Sequence, residues 1–312
     1  MRSASELLKS NKMYRIRKNL TPVLFLLPFG VIFVMFVLFP FVFGITISFF
    51  NWNMFDSSRT AFVGFSNYAR ILFESDSIFY EYFWSGLKYT LLFVIISVPP
   101  LMILPLILAG LLDGKPYGFR FFRFCLFAPT VLSVATVVII WSWQFYTHNG
   151  VINGILGAIG VSGPDWLNTQ PWAWIAILVV TLWWTCGTNM VIFAAAMKNV
   201  DRSLHEAAAL DGAGTVKRFC YITLPGIRYQ IFMCLILTMI ASFNIYGQPQ
   251  MLTSGGPVID GEFTTTVLMM RIRSLGVGAN SNPGVASAMA VCMGILMIAL
   301  SIVQNRVSKR GE

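Results

Sequence analysis

Charge is what this 312-residue chain has least of. Asp, Glu, Lys and Arg together make 11% of it, against roughly a quarter in soluble domains, too few to clothe a water-soluble globule. Histidine is scarcer, with only His148 and His205. The five cysteines, Cys125, Cys186, Cys220, Cys234 and Cys292, contain no CxxC pair, so a zinc site built by this chain alone has no donor set. Their odd number, spread over apolar segments, their ends and one loop, excludes a disulfide framework. Nucleotide loops are missing too. GLLDGKP at Gly110–Pro116 has its first glycine one position too close and proline in the Ser/Thr place, and Gly212-Ala-Gly214 begins a dinucleotide fingerprint that fails at Lys217. His205 and Glu206 are adjacent, but neighbouring helix residues diverge in direction, and no Ser/His/Asp set stands elsewhere. No catalysis and no cofactor is expected of this chain itself.

What is abundant is apolar length. Runs of 18 or more apolar residues read as membrane-spanning helices. Leu20–Phe50, Tyr89–Leu112, Phe124–Phe145, Trp172–Met197, Tyr229–Leu252 and Val285–Val303 contain no charged residue. The expectation is an all-α integral membrane protein with six transmembrane helices. They occupy residues 20–304, between a basic amino-terminal segment, 1–19, and a short carboxy-terminal one, 305–312. The first run, marked by Pro22, Pro28 and Pro40, is too long for a cleaved signal peptide and reads as a permanent anchor.

The net charge of +9 is unevenly spread. With both termini in the cytoplasm, 17 of the 22 Lys and Arg fall inside, and only Arg59, Arg70, Lys88, Arg271 and Arg273 fall outside. This is the positive-inside pattern, so the basicity encodes orientation and no nucleic-acid partner is expected. Of the outer loops, Ala61–Leu72 is amphipathic and reads as an interfacial helix holding Phe62, Phe65 and Tyr68 at headgroup level, in contact with lipid. Tyr146–Pro171 reads as a short surface helix and a turn. The last begins with the Gly-Pro turn of LTSGGP, and its TTTVLMMRIR stretch is expected along the interface.

The longest inner loop, 198–228, carries EAAALDGAG. Asp201 or Ser203 can cap a helix start, with Glu206 in the first turns where the helix dipole favours an acid. Leu204, Ala207, Ala208 and Leu210 supply apolar surface, and Asp211-Gly212 makes a turn leading to Ala213. A second helix over Thr215–Ile222 is stopped by Leu224-Pro225. The plain reading is an amphipathic loop on the inner leaflet. The spacing says more: Glu206-Ala207-Ala208, three residues, Gly212, nine residues, Ile222-x-Leu224-Pro225. It resembles the cytoplasmic helix–turn–helix coupling loop of binding-protein-dependent ABC importer permeases. FVGFSNYARIL, FRFFRFCLFAPTVLS, WSWQFY, NGVIN and MLTSGGP resemble the carbohydrate-uptake branch, over nearly the whole chain. Asp201 stands where many relatives carry proline.

The resemblance implies a bacterial or archaeal inner-membrane subunit. Its partners would be a second homologous permease, a cytoplasmic ATPase dimer that uses ATP and Mg, and an extracytoplasmic solute-binding protein. Glu206, Ala207, Ala208, Leu210, Asp211, Gly212 and Ala213 would couple to the ATPase. The cargo would be a sugar or oligosaccharide, or alternatively a glycerol phosphate or another polar solute.

A polar solute crossing between helices needs hydrogen-bonding groups and flat apolar faces. Thr181, Trp184, Thr185 and Thr188 fall at i, i+3, i+4 and i+7, one helical face. The fifth run offers Ser242, Asn244, Tyr246 and Gln248, with Gly247 and Pro249 loosening the helix there, and broken helices mark transporter sites. The alternative for these groups is interhelical hydrogen bonding, with Trp183 or Trp184 facing lipid. No span core holds a charge, which argues against a stand-alone ion-coupled carrier. A membrane scaffold that transports nothing is the other class left open.

Overall fold

The first helix is almost unattached. In the computed structural model, which describes residues 24–52, 60–277 and 281–310, α1 (Leu24–Ile47) buries none of its residues in the protein and leans its second half on the last helix. An apolar helix exposed on every side needs lipid or another protein around it.

Its end is clamped nonetheless. A ribbon pairs β1 (Phe50–Asn51) with β2 (Ala61–Phe62), and α2 (Ser66–Leu72) follows. Asn67, buried, donates its amide to the carbonyls of Ser48 and Phe50 at 2.9 Å each, and the Tyr68 and Ser48 hydroxyls lie 2.6 Å apart. The expected amphipathic helix is therefore shorter than Ala61–Leu72. Phe62 sits in the ribbon, Phe65 is exposed, and Tyr68 is tied to the end of α1.

The second span, α3 (Ile78–Asp113), starts eleven residues before the expected Tyr89. Ser77 caps it by accepting from the Phe79 amide at 3.3 Å. Glu81 and Lys88 dilute the hydropathy of these first turns without interrupting the helix. At 1.5 Å per residue its 36 residues reach about 54 Å, well past a hydrocarbon core of roughly 30 Å.

The third run is not one helix. It divides into α4 (Phe119–Phe127), a 3-10 turn over Ala128–Val131, and α5 (Val134–Gln144), with a 107° bend between the halves. The expected continuous Phe124–Phe145 is thereby corrected. Pro129 lies at the break, and Ser133 accepts from the Thr136 amide at 3.2 Å to start α5. A surface helix, α6 (Val151–Ala158), follows as expected. Asn153 holds its loop, donating to Thr147 and Pro164 carbonyls at 3.0 Å and accepting from the Trp166 indole at 2.7 Å.

The fourth span, α7 (Trp172–Met197), keeps its expected bounds. Beyond it stand α8 (Arg202–Leu210) and α9 (Thr215–Arg218). After α9 the helix widens into a π turn and runs on through Leu224–Gly226. Leu224-Pro225 therefore does not stop it: the helix ends at Ile227, whose φ of −110° and ψ of 13° leave the helical region. The fifth span comprises α10 (Arg228–Phe243) and α11 (Gly247–Leu252), interrupted at Asn244–Tyr246, just before the expected Gly247 and Pro249.

A second ribbon, β3 (Val258–Ile259) with β4 (Glu262–Phe263), leads to α12 (Leu268–Val277) and α13 (Pro283–Arg310). Instead of lying free along an interface, α12 buries Leu268, Met270 and Leu275 against α3 and α13. The Thr90 hydroxyl accepts from the Leu268 amide at 2.9 Å. Five described helices are long and apolar enough to cross a membrane, six if the bent pair counts as one. Their core forms two apolar clusters. One joins α3, α7, α10, α12 and α13 around Phe193, Phe243 and Met289. The other joins α3, α5 and α7 around Phe93, Val137 and Ile177.

Candidate translocation cavity and loop

All eight residues expected to meet a solute line one cavity of about 520 Å3, within the roughly 300–1,000 Å3 typical of small-molecule sites. Thr181, Trp184, Thr185 and Thr188 enter from α7, while Ser242, Asn244, Tyr246 and Gln248 enter around the break between α10 and α11. Phe93 and Leu101 of α3 and Val134 of α5 also line the wall, and no charged residue is among the lining groups.

Their hydrogen bonding separates two classes. The Thr181 and Thr185 hydroxyls donate to carbonyls one turn earlier, Ile177 and Thr181, at 2.7 Å. Their protons are spent, and their lone pairs can still accept from a solute hydroxyl. Asn244 likewise turns back to Ile240 at 2.8 Å. By contrast, the Thr188 hydroxyl and the buried Gln248 amide bond to no described residue, so both can donate as well as accept. Ser242 is reached by the Ser97 hydroxyl at 3.3 Å.

The Trp184 ring is oriented from outside its own helix. Its indole N–H donates to the Leu132 carbonyl at 3.1 Å, at the break between α4 and α5. The approach that permits this runs through Gly187. A Cβ there would meet the Leu126 oxygen at 2.4 Å and the Phe127 Cα at 2.7 Å, so α7 touches the broken segment backbone to backbone. At the other end, the Arg273 guanidinium lies 4.8 Å over the Tyr246 ring.

Two cavity residues escaped sequence reading. Asn189 donates to the Leu101 carbonyl at 3.1 Å and the Thr238 hydroxyl at 3.0 Å, fastening α7 to α3 and α10. Asn189 is the next step, i+8, along the face that runs from Thr181, and Thr238 lies one turn before Ser242. The periodicity that located the others would have found both.

The loop residues are arranged as a capped pair of helices. Asp201 caps α8 by accepting from the Ser203 amide at 2.9 Å, which holds its carboxyl below the usual range. Gly212 has φ +76°. The Ala213 amide bonds to the Ala208 carbonyl at 2.9 Å and the Gly212 amide to Ala209 at 3.1 Å, a Schellman end that a residue with a Cβ adopts only with strain. Asp211 ends the helix. Glu206 pairs with Arg202 at 3.1 Å, both exposed, so its carboxylate has a partner on its own helix. Ala207 is exposed and Ala208 half-buried, while Leu210, Val216 and Tyr221 are 91%, 75% and 79% exposed. The pair thus presents a bare apolar surface. Among the described residues no group of His, Cys, Asp or Glu is placed to hold a metal.

The family model for the binding-protein-dependent transport system inner membrane component matches residues 78–311. The chain belongs to this family. It is a multi-pass membrane protein and a permease subunit of an ABC importer. The permease is 33% identical over 290 residues to the sulfoquinovosyl glycerol transport system permease protein SmoG of Agrobacterium fabrum, covering 93% of this chain and 90% of that one. It is 29% identical to the arabinooligosaccharides transport system permease protein AraP of Bacillus subtilis, over 93% and 89% of the two chains. Its fold is shared with a chain of a bacterial alginate ABC transporter solved with alginate pentasaccharide-bound periplasmic protein. There the TM-score is 0.80 at 21% identity, over 95% and 96% of the two chains.

Proposed function

We propose that this permease carries a neutral sugar or oligosaccharide through the cavity between α7 and the broken fifth span. The observation that carries the reading is the cavity's lining: an indole and a phenol face, eight hydroxyl or amide side chains, and no charge. Aromatic faces pack against the C–H surface of a sugar, and the polar groups replace the water its hydroxyls lose. Interhelical bonding accounts for Asn189 and Thr238, but leaves Thr188 and Gln248 with no partner to serve.

On this reading six helices cross the membrane, the bent α4–α5 pair among them, with both termini and the 198–228 loop in the cytoplasm. Glu206, Ala207, Ala208, Leu210, Asp211, Gly212 and Ala213 form the docking face for an ATPase dimer. Those subunits, not this chain, bind and hydrolyse ATP with Mg. A second homologous permease completes the path, and an extracytoplasmic binding protein delivers the solute. The support is the family, the exposed apolar groups on the capped helix pair, and the charge asymmetry. The relatives named for arabinooligosaccharides and sulfoquinovosyl glycerol support the carbohydrate class.

The test is a deletion strain complemented with the wild type or with Gln248→Leu and assayed for uptake of a panel of neutral oligosaccharides. Leucine keeps the volume and removes the amide. Losing one neutral hydrogen bond of about 0.5–1.5 kcal/mol should raise the half-saturating concentration by up to roughly tenfold, with normal amounts of protein in the membrane. Failure of every neutral sugar, with uptake of an anionic or cationic solute instead, would overturn the cargo class. Transport by the purified chain alone would overturn the ATP-driven reading.

A further inference from the structure

A second cavity, of about 650 Å3, opens at the corner of α3, α4 and α7. Lys115, Arg120, Arg123 and Lys198 line it together with Phe119, Phe124, Phe127 and Val191. The solute path does not use it, for it shares no residue with the lining of the first cavity. Four cations thus face one space with apolar walls. Among the described residues none of the four is in an ion pair. Arg123 is half-buried, a place where an unpaired guanidinium is costly. One carboxylate, Asp113, lines an adjoining pocket of about 60 Å3 that shares Lys115, Phe119, Arg123 and Lys198, so four cations stand against a single acid.

The helix that carries the two arginines adds an independent observation. It is short and bent 107° from α5. Arg120 and Arg123, at i and i+3, share a face. Around them Phe121, Phe122 and Phe124 are 66%, 53% and 68% exposed. A short helix that sets arginines beside exposed phenylalanines matches the chemistry of the boundary between headgroups and acyl chains. Lys115, one of three non-glycine residues with positive φ among those described, brings a further ammonium to the same mouth from the turn after α3.

We propose that this corner binds one anionic phospholipid, its phosphate among Arg120, Arg123, Lys115 and Lys198 and an acyl chain along Phe124, Phe127 and Val191. Basic pockets between spans beside apolar surface select anionic headgroups, and a free phosphate would leave the phenylalanine wall unused. The site requires neither the carbohydrate reading nor a given orientation in the membrane.

The test is native mass spectrometry of the full-length protein, purified in detergent with its co-assembled subunits. It is titrated with phosphatidylglycerol or with phosphatidylcholine of the same chains. The wild type should retain one phosphatidylglycerol at least about tenfold more tightly than phosphatidylcholine. The double substitution Arg120→Gln/Arg123→Gln should abolish that preference, whereas Arg120→Lys/Arg123→Lys and the charge-matched Arg70→Gln/Arg306→Gln should keep most of it. If the glutamine pair does not fold, Lys115→Gln/Lys198→Gln makes the same measurement from the other side of the cavity. Equal retention of the two lipids by the wild type, or full preference in the glutamine variants, would overturn the proposal. So would displacement of the lipid by millimolar inorganic phosphate, which would make the ligand a free anion. Loss of the co-assembled subunits with lipid preference intact would make the corner a protein-docking face and likewise refute it.

Discussion

Replacing Trp184 separates its two jobs. One is the flat face it turns to the cavity, and the other is the 3.1 Å bond from its indole N–H to the Leu132 carbonyl. A sugar ring laid on one indole face covers about 60 Å2 of apolar surface, which at roughly 25 cal/mol per Å2 is about 1.5 kcal/mol, or about tenfold in affinity. Trp184→Ala removes face and bond together, and should raise the KM for uptake about tenfold. Trp184→Phe keeps a face but leaves the Leu132 carbonyl without its donor. It should change KM by less than about threefold while lowering stability by about 1 kcal/mol. Uptake kinetics in membrane vesicles and thermal unfolding of the purified protein read the two effects separately. An Ala variant with unchanged KM, in a normally assembled complex, would refute the role of the ring and leave Trp184 as a helix fastener.

Other consequences follow from the same geometry. Gly187→Ala puts a Cβ against backbone atoms that cannot rotate away, so α7 and the broken segment must separate, at about 1–3 kcal/mol; an unchanged melting temperature would contradict that contact. The Glu262 carboxylate accepts from the Tyr89 hydroxyl at 2.8 Å and from Lys88 at 3.4 Å, and these partners depress its pKa. A depressed carboxylate stabilises its contact above the ordinary pKa and loses it as pH falls through the lowered one. Hydrogen exchange in the β3–β4 ribbon should therefore be slow at neutral pH and quicken only below the usual glutamate range, a dependence that Glu262→Gln should flatten. For orientation, a single cysteine at Ser162 should react with an impermeant reagent outside sealed cells and one at Ser308 should not; the reverse would invert the topology.

How legible each part was in the sequence depended on how local its cause was. The bounds of α7 could be read because an unbroken apolar run stops between Pro171 and Lys198. The polar face of α7 could be read because helical periodicity is local. The bend after α4 could not. Pro99, Pro100 and Pro105 sit inside α3 without breaking it, whereas Pro129 sits at a break, so proline alone does not decide. What differs is tertiary: the Leu132 carbonyl exposed by the bend is met by an indole 52 residues along the chain. The start of α3 was hidden for a simpler reason, since Glu81 and Lys88 lower hydropathy without lowering helicity. Gly212 was the most transparent residue, because a glycine after Asp211 at the end of an alanine helix has few other uses. The pairing of Glu206 with Arg202 has an equally local cause. An acid four residues from Arg202 finds it on its own helix first.

That intrahelical pair sharpens the test of the central claim, that the capped helix pair transmits ATPase motion to a solute cavity elsewhere in the chain. Glu206→Lys alone would set two cations at i and i+4, costing α8 about 0.2–0.5 kcal/mol and confusing a weakened helix with a weakened contact. The double exchange Arg202→Glu/Glu206→Lys keeps the ion pair and reverses only the charge shown to the partner. Uptake and membrane-retained ATPase are measured in the same cells for this exchange and for Gly212→Val, whose φ of +76° a branched residue tolerates poorly. The account predicts that both proteins insert at wild-type levels, lose uptake and release part of their ATPase. Wild-type uptake and retention in both would contradict it.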